Sequence, residues 1–341
     1  MSKQFMHSDF QQILKELYKL QRLGIKTGLE HTERLLDACG NPHRKLKFIH
    51  VAGTNGKGSS CAMIFSILRE AGLNVGLYTS PHLIRFNERI RVNGVPISDA
   101  AIVKFMDLFF DDVKTIESTF FETTTAMALW YFNNQKVDYA VIETGLGGRL
   151  DSTNVINPEI SVITKVSVDH REILGDDIKI IAHEKAGIIK KGIPVISCSQ
   201  SESVQSVFKE KARFVGTEIQ FVKEPDHCEV SLEGTTFTWC NKIFTTSLIG
   251  AHQAVNASLG VAAARLLIHH ITRSLVNKGL KRTLWPGRFQ VLTSNNSIIY
   301  DVAHNADSVH CTLKTISSIF NTKPIGLFAL KKDKELCSIA K

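Results

Sequence analysis

The sequence predicts an α/β fold built on a mostly parallel sheet. Short apolar runs typical of buried strands alternate with helical patterns along much of the chain. Residues 48–69 read as a strand, a glycine-rich turn and a helix, and an apolar strand at 74–79 follows directly, which makes a βαβ crossover. Parallel sheets of this kind bind ligands beyond the carboxyl ends of their strands. We therefore expect the functional residues to follow strands.

The remaining elements suggest two α/β units that meet near residue 285. Residues 10–38 read as helical, and short alternating strands at 215–248 read as an antiparallel insertion. Further helices are predicted at 98–114, 122–134, 176–190, 251–270 and 307–319. Further strands are predicted at 139–143, 160–164, 193–197, 288–293, 298–302 and 324–330. Because Trp285-Pro286-Gly287 interrupts the pattern, we expect a first domain at 1–285 and the opening of a second α/β domain at 286–341.

The segment 48–60, FIHVAGTNGKGSS, carries the strongest functional pattern of the chain. Its glycines let backbone N–H groups approach phosphate, and the start of the following helix adds a partial positive charge. Lys57 supplies an ammonium group for the terminal phosphates, and the Ser59 hydroxyl can face Mg²⁺. The spacing departs from the common G-x-x-x-x-G-K-[ST] pattern, because Gly58 separates the lysine from the serine. A plain strand-to-helix turn is the alternative, but the combination of lysine, serine and strand–helix context favours a nucleotide triphosphate.

Composition indicates a cytoplasmic protein of about two domains. The chain has 341 residues, of which 43% are hydrophobic. Its seven cysteines include no C-x-x-C pair, which fits reduced thiols in a cytoplasm. The sequence shows neither a signal peptide nor an apolar run of membrane-spanning length, so we expect no membrane partner.

The net charge of +8 suggests anionic partners. The basic residues are scattered and no DNA- or RNA-binding motif is found, so we expect no nucleic acid. ATP and a polycarboxylate substrate would account for the charge equally well. A solvated basic surface is the simplest account of most of these side chains.

Three polar residues near predicted strand and helix ends are candidate site residues. Glu143 ends the strand at 139–143 and precedes a glycine-rich segment, where it is either an Mg²⁺ ligand or a surface or helix-capping glutamate. His170 follows another strand, and its chemistry leaves metal coordination and a structural role equally open. Lys185 reads by itself as a cation that complements a helix C-terminus.

The predicted domain junction carries further polar residues. Asp301 and His304 close the strand at 298–302 and can face one pocket. Arg288 follows Pro286-Gly287, where it either grips a phosphate across a cleft or forms an interdomain salt bridge. Asn256 begins an apolar helix, where it either caps the backbone or hydrogen-bonds a base.

Together and in this order, these motifs resemble one enzyme family. The chain is similar to the folylpolyglutamate synthase/dihydrofolate synthase family of Mur ligase-like, ADP-forming amide ligases. The matching segments lie at 51–59, 78–83, 88–94, 143–154, 169–170, 184–188, 286–289 and 301–305. The resemblance implies a P-loop Mur ligase-like central domain and an incomplete second Rossmann-like α/β domain, because family members usually continue beyond the position of Lys341.

The resemblance also implies roles for single residues. The ATP phosphates would be held by Thr54, Asn55, Gly56, Lys57, Gly58 and Ser59, and other parts of ATP would contact Asn256, Arg288, Asp301 and His304. Ser80 and Glu143 would bind one Mg²⁺, and His170 would help to bind a second. Lys185 would be carbamylated, and it would act in catalysis together with Lys57 and His170. The pteroate group would contact Phe121, Glu122, Thr123, Leu150, Asp151 and Ser152.

The reaction implied by the resemblance joins L-glutamate to dihydropteroate, to folates or to both. A substrate carboxylate would attack the γ-phosphate of ATP, and the amine of glutamate would then attack the acyl phosphate. A Mur-type peptidoglycan ligase is a second interpretation, against which Gly58 and the segment 80–83, SPHL, argue. A third is a truncated protein that binds ATP without activity, because the second unit is short. We expect a monomer.

Overall fold

An eight-stranded sheet forms the centre of the computed structural model, which describes residues 9–24, 28–169, 175–292, 298–320 and 323–329. The strands are β1 (Phe48–Ala52), β2 (Val75–Tyr78), β3 (Ile90–Val92), β4 (Val95–Pro96), β5 (Tyr139–Glu143), β6 (Ile160–Ile163), β7 (Val195–Ser197), β8 (Ile219–Phe221), β9 (Asp226–Ser231), β10 (Gly234–Trp239), β11 (Lys242–Thr246), β12 (Gln290–Val291) and β13 (Ile299–Tyr300). The α-helices are α1 (Phe10–Lys19), α2 (Glu30–Ala38), α3 (Lys57–Glu70), α4 (Asp99–Ile116), α5 (Phe120–Asn134), α6 (Ile178–Ala186), α7 (Glu202–Val215), α8 (Ala251–Leu267), α9 (Arg273–Lys281) and α10 (Ala306–Ile319).

The main sheet has the order β4-β3-β2-β5-β1-β6-β7-β8. Six of these strands run parallel, and only the β3–β4 hairpin at one edge is antiparallel. The central strand β1 is buried along its whole length between β5 and β6. This register places Glu143 of β5 beside Val51, at the carboxyl end of β1. The predicted α/β class with a mostly parallel sheet is confirmed.

Helices cover both faces of the sheet because β1 is apolar on both sides. Ile49 and Val51 point into a core shared with α3 and α8, whereas Phe48 points into a core shared with α4 and α5. A third core lies between the sheet and helices α6 and α7. Helix α3 is buried along most of its length, which fixes the glycine-rich turn at its start. No helix of the described ranges is long and apolar enough to cross a membrane.

The structure differs from the sequence prediction in several places, among them helix α9 and the β3–β4 hairpin, which were not predicted. The helix predicted at 10–38 consists of two helices, α1 and α2. The chain between them contains Gly24 and Gly28, whose positive φ angles of 71° and 127° do not fit a helix. The antiparallel insertion covers β9 to β11, but β8 joins the main sheet in parallel after the unpredicted helix α7. The strands after residue 288 form a small antiparallel pair, β12–β13. A strand is predicted at 324–330, but the described residues 323–329 form no strand.

Helix α9 packs against α3 through Gly279. A Cβ atom added at this glycine would lie 2.6 Å from the Cα atom of Ile67, which is backbone and cannot rotate away. The Ser66 hydroxyl donates to the carbonyl oxygen of Gly279 at 2.7 Å across the same contact. The packing of α9 thus requires glycine although alanine is the better helix former.

We predict that Gly279→Ala lowers the free energy of unfolding by about 1–3 kcal/mol through overpacking. Intrinsic helix propensity alone would change stability in the opposite direction. Urea unfolding measures the difference. Lys281→Ala, at an exposed position of the same helix, is the control and should leave stability nearly unchanged. Stabilisation by Gly279→Ala would contradict the close approach of the two helices.

Candidate functional site

The glycine-rich loop after β1 has no room for side chains at Gly53 and Gly56. Gly53 has a φ of 149°, and a Cβ atom there would lie 1.9 Å from Thr164 Oγ1. Gly56 has a φ of 87°, and a Cβ atom there would lie 2.3 Å from Asn256 Oδ1. The loop therefore lies between the end of β6 and the start of α8 and presents its backbone to the space above the sheet.

The first turn of α3 fits an anionic ligand and its metal ion. The ammonium group of Lys57 donates to the carbonyl oxygens of Gly53 and Thr54, both at 3.2 Å. Ser59 is 1% exposed, and its hydroxyl has no hydrogen-bond partner within the described residues. Because an unsatisfied buried polar group costs about 1–3 kcal/mol, a phosphate oxygen or Mg²⁺ at this helix start would be stabilising.

The loop is tied to the exit of β6. The backbone N–H of Thr54 donates to the carbonyl oxygen of Lys165 at 2.8 Å. The hydroxyl group of Thr54 donates to the carbonyl oxygen of Ser167 at 2.9 Å. Asn55 continues this pairing as an isolated bridge with Lys165. The backbone of the loop is thus held from the side opposite to α8.

Asn305 links the predicted second unit to the same loop. Its Nδ2 atom donates to Asn55 Oδ1 at 3.0 Å and to Asp169 Oδ2 at 3.1 Å. His304 Nε2 lies 3.5 Å from the same Asp169 oxygen. The sequence analysis assigned a role to His304 but not to Asn305 or Asp169. Asn305 and Asp169 could have been identified as site residues from their positions within the matching motifs at 301–305 and 169–170.

Glu143 lies at the centre of the site. It is 4% exposed, and its Oε2 atom accepts a hydrogen bond from the backbone N–H of Ser80 at 3.1 Å. Burial raises the pKa of this carboxyl group, whereas the nearby charges of Lys57, Arg288 and Arg89 lower it. Glu143 is therefore neither a surface residue nor a helix cap, and a buried carboxylate at a strand end suits Mg²⁺.

Lys185 points into the nucleotide loop rather than into solvent. It is 4% exposed, and its ammonium group donates to the carbonyl oxygen of Gly53 at 2.9 Å. Burial and then the charge of Lys57 lower its pKa from 10.5 to about 7. The neutral amine is consequently well populated near neutral pH. The position of Lys185 was unforeseen from its own neighbourhood, since Gly53 is far away in the sequence.

Arg288 is positioned by the backbone around it. Asp301 accepts hydrogen bonds from the backbone N–H groups of Phe289 and Ala303, both at 2.8 Å, and thus holds both segments together. Arg288 donates to the carbonyl oxygen of Gly287 at 3.2 Å. Within the described ranges it forms no salt bridge, so the geometry favours a phosphate partner over the interdomain ion pair that the sequence left open.

Asn256 is buried and donates to Gln253 Oε1 at 3.0 Å. This contact orients the side chain against Gly56, so Asn256 lies at the nucleotide loop and does not cap a helix. His170 lies outside the described residues. In the described part of the chain, no group of three or more His, Cys, Asp and Glu residues forms a metal centre.

Two acidic residues of the predicted pteroate segments support the backbone. Glu122 accepts a hydrogen bond from the backbone N–H of Thr119 at 2.6 Å, which closes a capping box at the start of α5. Asp151 accepts from the backbone N–H groups of Gly145 and Leu146, both at 2.8 Å. Asp151 therefore fixes the glycine-rich turn that follows Glu143.

The other predicted pteroate residues lie around these two. Phe121 packs on Gly145, where a Cβ atom would lie 2.4 Å from its ring, and its ring centroid is 6.1 Å from that of Tyr78. Thr123 and Ser152 are buried, and Leu150 is half-buried. The hydroxyl of Thr123 has no partner within the described residues. The ring of Phe121 thus lies between Gly145, which follows β5, and Tyr78, which ends β2.

Comparisons with known proteins show the family to which the chain belongs. The family described as Mur ligase middle domain matches residues 51–264. The chain is 39% identical to a dihydrofolate synthase/folylpolyglutamate synthase of Bacillus subtilis, and the match covers 96% of this chain and 81% of the relative. It is 36% identical to a folylpolyglutamate synthase of Lacticaseibacillus casei, over 90% of this chain and 76% of the relative.

Solved structures show the same similarity. A complex of FPGS with AMPPCP and folate superposes with a TM-score of 0.86 and 33% identity, over 92% of this chain and 81% of that chain. A folylpolyglutamate synthase of Thermotoga maritima superposes with a TM-score of 0.85 and 34% identity, over 97% of this chain and 79% of that chain. The fold and the order of motifs are therefore shared over nearly the whole chain.

The contact between Gly58 and Trp285 gives a test of the nucleotide loop. A Cβ atom at Gly58 would lie 2.8 Å from the indole ring, and Trp285 precedes Arg288 by three residues. We predict that Gly58→Ala displaces the indole and weakens AMPPCP binding by about tenfold or more, which is 1.4 kcal/mol. Calorimetric titration measures the Kd.

A second substitution separates this contact from general damage to the loop. In the double variant Gly58→Ala/Trp285→Leu, the smaller side chain leaves space for the added methyl group, so part of the affinity should return. Unchanged AMPPCP affinity in Gly58→Ala would show that the indole does not constrain the loop.

Proposed function

Because this chain belongs to the folylpolyglutamate synthase/dihydrofolate synthase family of Mur ligase-like enzymes, we infer that it is an ATP-dependent glutamate ligase. It adds L-glutamate to dihydropteroate, to folates or to both, and it releases ADP and phosphate. The convergence of the glycine-rich loop, Lys57, Lys185 and Glu143 at the carboxyl ends of β1 and β5 is the observation that carries this function.

The nucleotide phosphates would occupy the backbone surface of the loop, at the start of α3. Lys57 would exchange its two carbonyl contacts for the terminal phosphates, and Arg288 would approach them from the segment after Gly287. Glu143, with Ser80, would hold Mg²⁺, which when bound neutralises phosphate charge. Two Mg²⁺ sites, the second involving His170, are part of the proposal.

The proposed chemistry has two steps. The acceptor carboxylate attacks the γ-phosphorus in line, which breaks the bond to the β-phosphate oxygen and forms an acyl phosphate and ADP. The amine of glutamate then attacks the acyl carbon, phosphate leaves, and the amine loses a proton. Lys57 and Arg288 offset the negative charge that the first step concentrates at the strand ends.

Further features complete the proposal. Residues 1–285 would form the ATP-binding domain and residues 286–341 the opening of the glutamate-ligase domain, which the separate β12–β13 pair supports. The protein would act as a monomer in the cytoplasm. The names of the relatives favour a folate-linked ligase over a peptidoglycan ligase.

The proposed function is tested by incubating the protein with MgATP, L-glutamate and either dihydropteroate or tetrahydrofolate. We expect ADP and a product extended by one glutamate, detected by mass spectrometry. Lys57→Met should lower kcat/KM by on the order of 10³-fold, because charge stabilisation of the transferring phosphoryl group is lost. Lys47→Met, at the opposite end of β1, is the matched control and should retain activity.

Two results would overturn the assignment. ATP binding without any conjugated product would instead support an inactive ATP-binding protein. Full activity in Lys57→Met would remove the nucleotide loop from the mechanism.

We also propose that the amine of Lys185 is carbamylated by CO₂. The amine nitrogen attacks the carbon of CO₂, a nitrogen–carbon bond forms, one C=O π pair becomes the carboxylate charge, and a proton passes to water. A pKa of about 7 supports this step, because only the neutral amine reacts. The product would turn a cation into an oxygen ligand beside the loop.

Carbon-13 NMR with ¹³CO₂ tests the modification. We expect a carbamate signal that grows as pH rises from about 6 to 8, since deprotonation of the amine proceeds through this range. The signal should disappear in Lys185→Gln and persist in Lys190→Gln, a lysine whose pKa is also lowered, to about 8. Full activity in CO₂-free buffer without any signal would contradict the proposal.

A further inference from the structure

Arg89 is a buried cation at the functional edge of the sheet. It is 8% exposed and ends the short 3₁₀ turn Phe86–Arg89, directly before β3. Its carbonyl oxygen accepts a hydrogen bond from the backbone N–H of Thr79 at 3.0 Å. Arg89 is therefore fixed beside the exit of β2, next to Ser80, whose own backbone N–H contacts Glu143.

The guanidinium group of Arg89 makes a single hydrogen bond to the part of the chain that the structure describes. Its Nε atom donates to His82 Nδ1 at 2.8 Å. Within the described residues, its two terminal nitrogens form no hydrogen bond and no salt bridge. Glu143 is near enough for its charge to favour the guanidinium but forms no salt bridge with it, and a buried charge without a directly paired anion is costly. The arrangement leaves the forked end of the guanidinium for an anion that the chain does not supply.

His82 holds Arg89 in this orientation. Arg89 Nε can only donate, so the Nδ1 atom of His82 carries no proton and the ring is neutral in this arrangement. Because Nδ1 accepts from Arg89, the ring proton is on Nε2, which faces the Tyr18 hydroxyl at 3.4 Å. The histidine thus acts as a neutral acceptor and does not compete for the anion.

The surroundings of Arg89 identify the kind of anion. The guanidinium carbon lies 5.1 Å from the ring centroid of Phe120, which stacks on Tyr18 at 5.6 Å. Phe121 and Tyr78 form a second pair of rings, with centroids 6.1 Å apart. A guanidinium fork beside aromatic faces matches a carboxylate attached to a flat, aromatic body.

We propose that Arg89 binds the reacting carboxylate of the acyl acceptor, an aromatic acid or its glutamyl extension, and that His82 is the residue that positions it. The proposal rests on the ligase function above. The reaction must bring a carboxylate to a triphosphate, and the two anions repel each other. Arg89 offsets that repulsion from the acceptor side, as Lys57 and Arg288 do from the nucleotide side.

The test compares dihydropteroate with its primary carboxamide, which has nearly the same shape but no charge. Binding of each is measured by calorimetry with AMPPCP and Mg²⁺ present. We expect the wild-type protein to bind the acid at least about tenfold more tightly than the amide. Arg89→Met should bind both ligands equally, and Arg89→Lys should show an intermediate preference, because lysine keeps the charge without the fork.

Controls separate a carboxylate subsite from a structural role. Arg85→Met, at an exposed arginine paired with Asp99, should keep the wild-type preference for the acid. His82→Ala should reduce the preference, and His82→Asn should restore part of it, because its amide oxygen can accept from Arg89. The Kd of AMPPCP should stay within about twofold in all variants, since none of these residues is assigned to the nucleotide.

Two outcomes overturn the proposal. An undiminished acid preference in a folded Arg89→Met variant is one, and equal binding of acid and amide by the wild-type protein is the other. If Arg89→Met does not fold, Arg89→Lys and the wild-type pair of ligands decide. Absence of any ligase activity in the wild-type protein would contradict the proposed function instead, so the two failures are distinguishable.

Discussion

The close packing around the glycine-rich loop is the constraint on which the rest of the site depends. Three neighbours from distant parts of the chain, Thr164, Asn256 and Trp285, occupy the positions that side chains on Gly53, Gly56 and Gly58 would take. At these three positions the loop can therefore present only backbone groups to a ligand. Backbone N–H groups at a helix start are a fixed set of donors, and they need no reorganisation when phosphate binds. The glycines are thus required by the neighbours as well as by the ligand.

Electrostatics give the site its second property, an excess of cations around one buried carboxylate. Lys57, Arg89 and Arg288 all lower the pKa of Glu143, while burial raises it. Burial and then the charge of Lys57 lower the pKa of Lys185 to about 7. A cluster of this sign is unfavourable by itself and becomes favourable when a polyanion enters. The site therefore has the charge expected of a phosphate-transfer centre. Arg89 is the cation on the proposed acceptor side, and Lys185 contacts the loop through the carbonyl oxygen of Gly53.

Local patterns in the sequence were sufficient for the elements that create the site. The β1–α3 unit, the strand that ends in Glu143 and the parallel sheet followed from apolar runs and glycine positions, because these signals are local. Lys185 could not be placed in this way, since its partner Gly53 meets it only after β6 and α6 have formed. The break between α1 and α2 was missed because the regular leucine spacing up to Leu23 was extended to residue 38, although Gly24 and Gly28 mark the break. Arg89 was passed over because nothing in its neighbours indicates that it is buried without an anion.

The segment that opens the predicted second unit is built into the nucleotide site. Trp285 packs on Gly58, Asp301 joins the backbone at 289 to that at 303, and Asn305 pairs with Asn55. These contacts constrain the backbone before and after Arg288. The position of this arginine therefore depends on the glycine-rich loop, whose bound phosphates it is proposed to contact. A ligand that fixes the loop would for the same reason fix Trp285 and Asn305, which contact it. The coupling follows from shared packing, and it connects the nucleotide to the first residues of the unit in which glutamate is proposed to react.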